Sequence, residues 1–402
     1  MQIRTIVAAF AATTAAASAQ INPPAGPVTD SGPNLSQVID ALEEARTEIN
    51  AENTPGDASS VFRISQPGSY YLAGNVLADK ANFSAIEVAA TDVTIDLNGF
   101  AIDGAGLATG GIRAFGPTDR LAIRNGVIKG INGNMISAGS PSTSVRDIRA
   151  VGVAAGMGAD GIFVGGAGAI VERCVVEDAG ADGIDVGEGG VVRDSAVINC
   201  GSSGITLQIE AIAERCSVTG AADGILMGGR AKALHCRITG SRTNGIRAFD
   251  LAFIEGCTID NATFDGIQAT GDCVIVNNQV RASGDDGIVF TSACRVEGNL
   301  VIGSTTDGIR GSSRNSIVNN TVEDIGDDGF QITGPDNRVD SNTAVGCTIG
   351  FRTQGIGVLD NMIVRNFASD CAITYSVLGG NFFSFTGPSA SSSTNPWINI
   401  AQ

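Results

Sequence analysis

Lysine, histidine and long apolar runs are scarce in this chain of 402 residues. Lys80, Lys129 and Lys232 are its three lysines, His235 is its single histidine, and the formal net charge is −17. Such an acidic chain argues against nucleic acid and anionic membranes as partners, because both attract clustered basic side chains. A single histidine also excludes histidine-rich zinc sites. After the N-terminus, no segment approaches the run of about 20 apolar residues that a membrane-spanning helix needs, so no membrane insertion is predicted.

The N-terminal residues have the composition of a secretory signal. Arg4 supplies a positive charge, an apolar stretch follows it, and Ala17–Ala19 offers small residues for cleavage. We therefore expect residues 1–19 to be a signal peptide that is removed after Ala19. The mature protein is then predicted to be secreted or periplasmic.

A period of about 21 residues runs through the middle of the chain. The dipeptide Gly-Ile or Gly-Phe recurs at intervals of 20 to 22 residues, and a fixed period of this size indicates a solenoid. Short segments rich in Val, Ile and Thr, separated by turn residues, predict three short strands in each repeat. The predicted fold class is therefore all-β, a single-stranded right-handed parallel β-helix over residues 61–380. The anchor glycines of the repeat are Gly161, Gly183, Gly204, Gly224, Gly245, Gly266, Gly287, Gly308, Gly329 and Gly350.

Both ends of such a solenoid need caps, because each would otherwise expose an apolar coil. Residues 20–60 are predicted to hold a linker and an N-terminal capping helix, since apolar residues in 34–51 fall on one helical face behind Asn34 as N-cap. Residues 381–402 are predicted to form the C-terminal cap or tail. The aromatic residues that indicate this cap are Phe382, Phe383, Phe385 and Trp397.

One position, twelve or thirteen residues after the anchor, is mostly cysteine in the earlier repeats and asparagine in the later ones. Stacked coils would place these residues one above another inside the helix, where asparagine amides can bond each other and free cysteine acts as a small apolar residue. Neighbouring coils would also bring Cys273 near Cys294, and Cys236 near Cys257, within the range that permits a disulfide. The residues of this ladder are Cys174, Ser195, Cys216, Cys236, Cys257, Asn278, Asn299, Asn320 and Asn342.

The residue before each anchor glycine is aspartate in seven of ten repeats. Asp-Gly is ordinary turn chemistry, so a structural role alone explains this aspartate row. Asp285 and Asp327 add a second carboxylate on two coils, and the repeat does not require them. Six acids on four coils need exposure, raised pKa values, neighbouring arginines or a cation. The aspartates of the row are Asp160, Asp182, Asp223, Asp265, Asp286, Asp307 and Asp328.

Arginine and glutamine occupy the outward position two residues after several anchors. They predict a site on the same exposed face as the acids. We predict that Asp285, Asp286 and Asp327 can bind Ca²⁺, which prefers oxygen ligands; no other cofactor is predicted. The predicted catalytic residues are Asp307, Asp327, Asp328, Arg310 and Arg352, and the predicted substrate-binding residues are Gln331, Gln268 and Arg247.

Several motifs resemble a known fold family. The segments "FRISQPGSYYLAGNV" (62–76), "VTIDLNGFAIDG" (93–104) and "LAIRNGVIKG" (121–130) are similar to the opening of secreted right-handed parallel β-helix repeat proteins of the pectin lyase-like superfold. The resemblance covers about residues 60–380. It implies the fold and says little about activity.

A narrower resemblance concerns the acids. "TTDGI" (305–309) and "GDDGF" (326–330) are similar to the Asn-Thr-Asp and Asp-Asp motifs of the polygalacturonase family of glycoside hydrolases. This resemblance implies that Asp307, Asp327 and Asp328 match the three catalytic acids. The chain departs from the pattern at "CTIGF" (347–351), where Ile349 stands in place of histidine, and no Arg-x-Lys motif follows.

The sequence thus predicts an exported protein whose Asp/Arg face acts on a polysaccharide, as a uronate or glycan hydrolase or as a lyase. In the lyase case, carboxylate-bound Ca²⁺ would neutralise the substrate's acid, and Arg310 or Arg352 would be the base. The alternative is a non-catalytic surface protein, an adhesin or a carbohydrate-binding structural protein, because a fold does not fix a function. The glycan and the oligomeric state are left open.

Overall fold

The computed structural model describes residues 46–116, 118–152, 158–384, 386–387 and 397–402. Within these ranges every regular element is a β-strand. The strands stack in parallel and in register from one coil to the next, as Ile267 pairs with Ile288 and Ile288 with Ile309. About 16 coils result, and the predicted parallel β-solenoid is confirmed.

One face of the solenoid is a sheet of 15 strands. In the coils that have an anchor glycine, the strand begins directly after that glycine or one residue before it, so this sheet carries the outward residues of the predicted site. In chain order the strands of this 15-stranded sheet are Ser60–Ile64, Ser84–Val88, Gly110–Ala114, Asn134–Ala138, Ile162–Val164, Ile184–Val186, Ile205–Leu207, Ile225–Met227, Ile246–Ala248, Ile267–Ala269, Ile288–Phe290, Ile309–Gly311, Asp328–Ile332, Ile349–Thr353 and Ile373–Ser376.

The other faces belong to a 30-stranded sheet made of two rows of strands, which two long strands join near the N-terminus. The first row consists of Thr47–Glu48, Gly68–Tyr71, Val93–Asp96, Ala122–Lys129, Ser144–Val151, Ile170–Glu172, Val191–Arg193, Ile212–Glu214, Lys232–Leu234, Phe253–Glu255, Val274–Val276, Arg295–Glu297, Ser316–Val318, Arg338–Asp340, Met362–Val364 and Phe382–Phe383. The second row consists of Val76–Leu77, Ala101–Asp103, Val175–Glu177, Ala196–Ile198, Ser217–Thr219, Arg237–Thr239, Thr258–Asp260, Gln279–Arg281, Leu300–Ile302, Thr321–Glu323, Thr343–Val345, Phe367–Ser369, Thr386–Gly387 and Asn399–Ala401.

The core is a set of vertical stacks inside the coils. Successive side chains of a strand point to opposite faces, so Ile184 and Val186 are fully buried while Asp185 between them is partly exposed. Burial of one such side chain contributes about 1.5–3 kcal/mol. The same alternation directs the residue two positions after each anchor to the outer surface.

The anchor glycines are required by close packing between coils. A Cβ atom at Gly266 would lie 2.2 Å from Cγ1 of Val280 and 2.6 Å from the carbonyl oxygen of Gly287. Real Cβ atoms do not approach other atoms so closely. The period of 21 residues therefore has a steric cause at this position.

The predicted asparagine ladder is confirmed. The side-chain amide of Asn278 donates to Oδ1 of Asn299 at 3.0 Å, and that of Asn299 donates to Oδ1 of Asn320 at 2.9 Å. All three side chains are buried, so each amide is satisfied by its neighbours. The cysteines of the ladder are buried free thiols.

The two cysteine pairs that were expected to permit disulfides contain none. Cys273, Cys294, Cys236 and Cys257 are all free thiols. In the first pair, the backbone N–H of Cys273 donates to Sγ of Cys294 at 3.4 Å. The thiols donate to backbone carbonyls of their own or neighbouring coils.

Most of the predicted N-terminal features lie outside the described residues, including the signal peptide (1–19) and residues 34–45 of the capping helix. The described end of that helix, 46–51, contains the strand Thr47–Glu48 instead. At the other end Phe385 is outside the description, while Phe382 and Trp397 are 62% and 47% exposed. In the described part of the chain, no helix has the length and apolarity to cross a membrane.

Candidate functional site

The aspartate row is a hydrogen-bonded ladder along one edge of the 15-stranded sheet. The backbone N–H of Asp286 donates to Oδ1 of Asp265 at 3.2 Å, that of Asp307 to Asp286 at 3.1 Å, and that of Asp328 to Asp307 at 3.2 Å. These four residues are at most 6% exposed. Each carboxylate thus binds the backbone of the next coil, which is a more specific role than the turn chemistry that the sequence predicted.

Outward side chains engage the second carboxylate oxygen of the row. Nε of Arg310 lies 3.2 Å from Oδ2 of Asp286, and Nη1 of Arg352 lies 3.4 Å from Oδ2 of Asp328. Each arginine stands two residues after its own anchor and reaches back to the aspartate of the preceding coil. The predicted arginines and acids are therefore in direct contact.

Glutamines make the corresponding contact within their own coil. The Gln268 amide donates to Oδ2 of Asp265 at 3.0 Å, and the Gln331 amide donates to Oδ2 of Asp328 at 2.9 Å. Oδ2 of Asp328 consequently contacts both the Gln331 amide and the Arg352 guanidinium. Two of the predicted substrate-binding residues are thus already bonded to the acids.

Asp307 differs from every other aspartate of the row. Among the described residues, no side chain donates to its Oδ2 atom or forms an ion pair with it. The reason is the order of outward residues: Arg310 reaches back to Asp286, and Gln331 bonds Asp328 of its own coil. Oδ1 of Asp307 thus accepts the Asp328 N–H, its Oδ2 has no partner among the described side chains, and the residue is 3% exposed.

The pKa values of the row follow from this pattern of partners. Burial raises the pKa of Asp307 to about 7, and the negative charges of Asp286 and Asp328 add to the effect. Burial likewise raises the pKa of Asp265 to about 6, with a contribution from Asp286. Burial also raises the pKa of Asp286 and of Asp328, but Arg310 and Arg352 respectively oppose that increase.

The two extra acids complete two equivalent clusters. Asp285 and Asp327 are partly exposed and precede row aspartates. The hydroxyl of Thr306 donates to Oδ1 of Asp285, whereas no described residue donates to the Asp327 carboxylate. We call the clusters the upstream triad (Asp265, Asp285, Asp286) and the downstream triad (Asp307, Asp327, Asp328).

Each triad has the dimensions of an oxygen-ligated cation site. One carboxylate oxygen from each of its three residues lies within 4.8 Å of the others. Two ligands of one Ca²⁺ ion, bound at 2.3–2.6 Å, lie at most about 5 Å apart. The residues predicted to bind Ca²⁺ are divided between the triads: Asp285 and Asp286 upstream, Asp327 downstream.

A groove of about 460 Å³ borders the upstream triad. Arg247 and Gln268 line it together with Asp265, Asp285 and Phe264. The Phe264 side chain is 51% exposed. Two of the three predicted substrate-binding residues therefore share one groove, while the third, Gln331, lies on Asp328 of the downstream triad.

Sequence reasoning missed two residues of this face. Asp185 stands two positions after Gly183, and its Oδ1 is buried without a hydrogen bond; burial raises its pKa to about 6, with Asp182 and Asp160 contributing. Counting outward positions in earlier coils would have found it. Phe264 carries no sequence signal beyond being a phenylalanine in the turn before an Asp-Gly pair.

Two family models match parts of the chain. The model described as a right handed beta helix region matches residues 187–310. A second model, described as periplasmic copper-binding protein (NosD), matches residues 254–391. No curated protein matches the chain.

The residues of the second match do not fit a copper site of sulfur or imidazole ligands. Its five cysteines all donate to backbone carbonyls, and four of them are buried. They are Cys257, Cys273, Cys294, Cys347 and the partly exposed Cys371. The clusters of three or more potential ligands among the described residues are the two triads, whose ligands are all aspartate oxygens. Such oxygens suit hard cations such as Ca²⁺.

Solved structures with similar folds include carbohydrate-active proteins. The A-module of mannuronan C-5 epimerase AlgE6 from Azotobacter vinelandii is 13% identical over 78% of this chain and 91% of its own, with a TM-score of 0.47. A tailspike protein variant of E. coli bacteriophage HK620, in complex with a pentasaccharide, is 11% identical over 93% and 81%, with a TM-score of 0.43. The PL6 family polysaccharide lyase from Pseudopedobacter saltans is 11% identical over 82% and 92%, with a TM-score of 0.40. At such low values these likenesses say nothing about what this chain binds.

Proposed function

We propose that this chain, a right-handed parallel β-helix protein, is an exported polysaccharide-active protein whose reactive centre is the downstream triad. The observation that carries the proposal is that no described side chain contacts the Oδ2 atom of Asp307. Within the described residues, every other aspartate of the row has a hydrogen-bonded or ion-paired side chain on that oxygen, at 3.8 Å in the case of Asp223. A buried carboxyl with a raised pKa beside a second, half-buried carboxylate is a frequent arrangement in acid–base catalysis.

Hydrolysis of a glycosidic bond is the reaction that this arrangement suits best. With a pKa of about 7, a protonated Asp307 can donate to the glycosidic oxygen as the carbon–oxygen bond breaks. Asp327 can then attack the anomeric carbon, and water releases the sugar from it. The oxygens of the triad lie within 4.8 Å, which is nearer to the carboxyl separation of about 5–5.5 Å in retaining enzymes than to about 6.5–9.5 Å in inverting ones.

Elimination from a uronate is a second reaction, favoured by the dimensions of the triads. Ca²⁺ bound by Asp327 with Asp328, or by Asp285 with Asp286, would supply charge to neutralise the uronate carboxylate. In this case ionised Asp307 would take the proton at C5 and deliver it to the departing glycosidic oxygen, and Arg310 and Arg352 would act as cations beside the substrate. Their ion pairs with Asp286 and Asp328 favour that role over the base role suggested by the sequence, since guanidinium does not lose its proton in proteins.

A non-catalytic carbohydrate-binding role is the remaining candidate. The observation that favours it is the ladder itself, because bonding to the next coil already accounts for the buried aspartates. In such a protein the same face would bind a saccharide without cleaving it. Export is common to all three candidates, and the periplasmic description of the second family model supports it.

The deciding experiment is the Asp307→Asn variant, assayed on mannuronan, polygalacturonate and α-1,3-glucan with and without Ca²⁺. Asparagine keeps an acceptor for the Asp328 N–H but cannot donate the acid proton. We expect turnover to fall by about 10²–10⁴-fold, the usual contribution of a general acid. Asp182→Asn is the matched control, because Asp182 accepts the Ser203 N–H in the same ladder at 2.9 Å away from the triads.

Three results would change the assignment. Equal activity of the Asp307→Asn variant and the wild-type protein would remove Asp307 from the reaction. Binding of a polysaccharide without any product would favour the non-catalytic role. Neither binding nor turnover on any of the three polymers would contradict the proposal as a whole.

A further inference from the structure

We infer that the groove around Phe264 is a separate saccharide subsite, and that it holds a neutral sugar ring two coils upstream of the reactive triad. The inference deepens the proposed function and rests on it. Its central residues, Phe264 and Arg247, take no part in the proposed bond cleavage. The groove and the downstream triad share no residue.

Phe264 forms an apolar wall in an otherwise polar groove. Its ring is about half exposed, although aromatic residues make up only 5% of the chain. The backbone on both sides is fixed, because the Phe264 N–H donates to the Thr243 carbonyl at 3.1 Å and its carbonyl accepts from the Asp285 N–H at 3.2 Å. A fixed, exposed aromatic face beside polar groups is the surface that the C–H face of a sugar ring covers.

Polar groups on the groove floor can bond the hydroxyls of such a ring. Nη1 of Arg247 is 3.8 Å from Oδ2 of Asp223, longer than a hydrogen bond, so its N–H groups can still donate. Asp285 uses Oδ1 to accept the Thr306 hydroxyl, and no described residue donates to its other oxygen. The groove therefore offers a donor and an acceptor beside the aromatic wall, which is the usual composition of a small-molecule site.

The repeat sets the distance between this subsite and the triad. Phe264 precedes Asp265, which lies two coils before Asp307 in the same row. At about 4.8 Å per coil the separation is about 10 Å. In an extended polysaccharide, one sugar ring spans roughly the rise of one coil. A polysaccharide that lies along this edge can therefore place one ring on Phe264 and, about two rings further on, a glycosidic bond at Asp307.

The charges that line the groove determine whether it favours a neutral or a charged sugar ring. Asp223, Asp265 and Asp285 line it, and Arg247 is its one cationic lining residue. While the upstream triad holds no cation, a uronate carboxylate would meet net negative charge there, so the comparison below is made without Ca²⁺. A neutral ring instead donates its hydroxyls to these carboxylates, so the subsite favours neutral sugars.

The test compares Phe264→Ala with the wild-type protein on α-1,3-glucan oligosaccharides from disaccharide to hexasaccharide. We expect KM, and the Kd measured with the inactive Asp307→Asn background, to rise about tenfold for the hexasaccharide. We expect no change in kcat, and no change for the disaccharide, which is too short to span both positions. Phe115→Ala is the matched control, because Phe115 is a similarly exposed phenylalanine (40%) on a distant coil.

The outcomes separate this inference from the proposed function. If the wild-type protein cleaves or binds the hexasaccharide and Phe264→Ala does so equally well, the subsite is wrong and the proposed function stands. If polygalacturonate oligosaccharides lose as much affinity as glucan oligosaccharides on this substitution, the preference for a neutral ring is wrong. If the wild-type protein neither binds nor cleaves any of them, both ideas fail.

Discussion

In each buried aspartate of the row, the two carboxylate oxygens make different contacts. Oδ1 accepts the backbone N–H of the next coil, as in the contact between Asp265 and Asp286. Oδ2 faces the outer surface, where Arg310, Arg352 or a glutamine occupies it. Only the partner of Oδ2 differs between coils. The outward residue of the same or the following coil therefore determines the charge and the pKa of each aspartate in the row.

The raised pKa of Asp307 predicts an unusual dependence of stability on pH. An ordinary unfolded aspartate has a pKa of about 3.9, whereas the folded value is about 7. The folded state therefore holds the Asp307 proton more tightly, and the stability that this proton contributes is lost as pH rises from about 4 to about 7. We expect Asp307→Asn to raise Tm relative to the wild-type protein at pH 8 and to leave it unchanged near pH 4, as thermal unfolding at both pH values can check.

A difference in Tm between Asp307→Asn and the wild-type protein that is the same at pH 4 and pH 8 would contradict the raised pKa of Asp307. The Asp182→Asn variant serves as control. The Thr206 hydroxyl donates to Oδ2 of Asp182 at 2.7 Å. Its replacement is therefore not expected to reproduce the gain at pH 8.

The sequence was sufficient to predict which residues share this face but not how they pair. The period places Asp307, Asp328 and Arg310 on adjacent coils, and the structure does so. The direction in which Arg310 reaches depends on its side-chain conformation, and spacing contains no information on that. Phe264 escaped notice for a similar reason, since exposure of a turn residue depends on the neighbouring coils.

The element that repeats is a coil, and its tightest point is the anchor glycine. At Gly287 an added Cβ would lie 2.2 Å from Cγ1 of Val301 and 2.5 Å from the carbonyl oxygen of Gly308. The first contact involves a buried branched side chain and the second a backbone atom. Neither can move without disturbing the pairing of the coils above.

We therefore expect Gly287→Ala to lower the free energy of unfolding by about 3 kcal/mol or more, at the upper end of overpacking effects. Gly139→Ala is the matched control, because a Cβ there meets no atom within 4 Å; its effect should stay within about 0.5 kcal/mol. Chemical denaturation of both variants gives the comparison. Similar values for the two glycines would mean that the coils can separate slightly at the anchor.

At this scale the fold was predictable and the ends were not. Residues that are one period apart in the sequence become neighbours when the coils stack. The strands and the asparagine ladder could therefore be predicted from the spacing alone. The end coils lack a neighbour on one side, so the period no longer constrains them. The strand Thr47–Glu48, found where a helix was expected, is an example.

Over the whole molecule, the two triads and a net charge of −17 predict binding of divalent cations. Asp265, Asp285 and Asp286 recur 42 residues later as Asp307, Asp327 and Asp328, so the two sites are equivalent in ligands and spacing. Isothermal titration with Ca²⁺ should give about two ions per chain. Bound ions should also raise Tm, because a ligand of the folded state stabilises it by mass action.

The double variant Asp285→Asn with Asp327→Asn should lose both the heat and the rise in Tm. It removes one carboxylate from each triad and leaves the buried ladder intact. Absence of heat with the wild-type protein would exclude Ca²⁺ from the site and, with it, the elimination reaction, which leaves metal-free hydrolysis and the non-catalytic role.

The spacing of the triads also bears on how a protein of this kind can change its length. A coil is hydrogen-bonded only to the coils directly before and after it, so a segment of 42 residues can be gained or lost while the remaining coils stay in register. Each such event would add or remove one copy of the arrangement Asp265, Asp285, Asp286 and Arg310, which already recurs with Arg352 in the last position. Duplication of two coils at a time would thus lengthen the saccharide track by whole subsites, without a new fold or a new site having to arise.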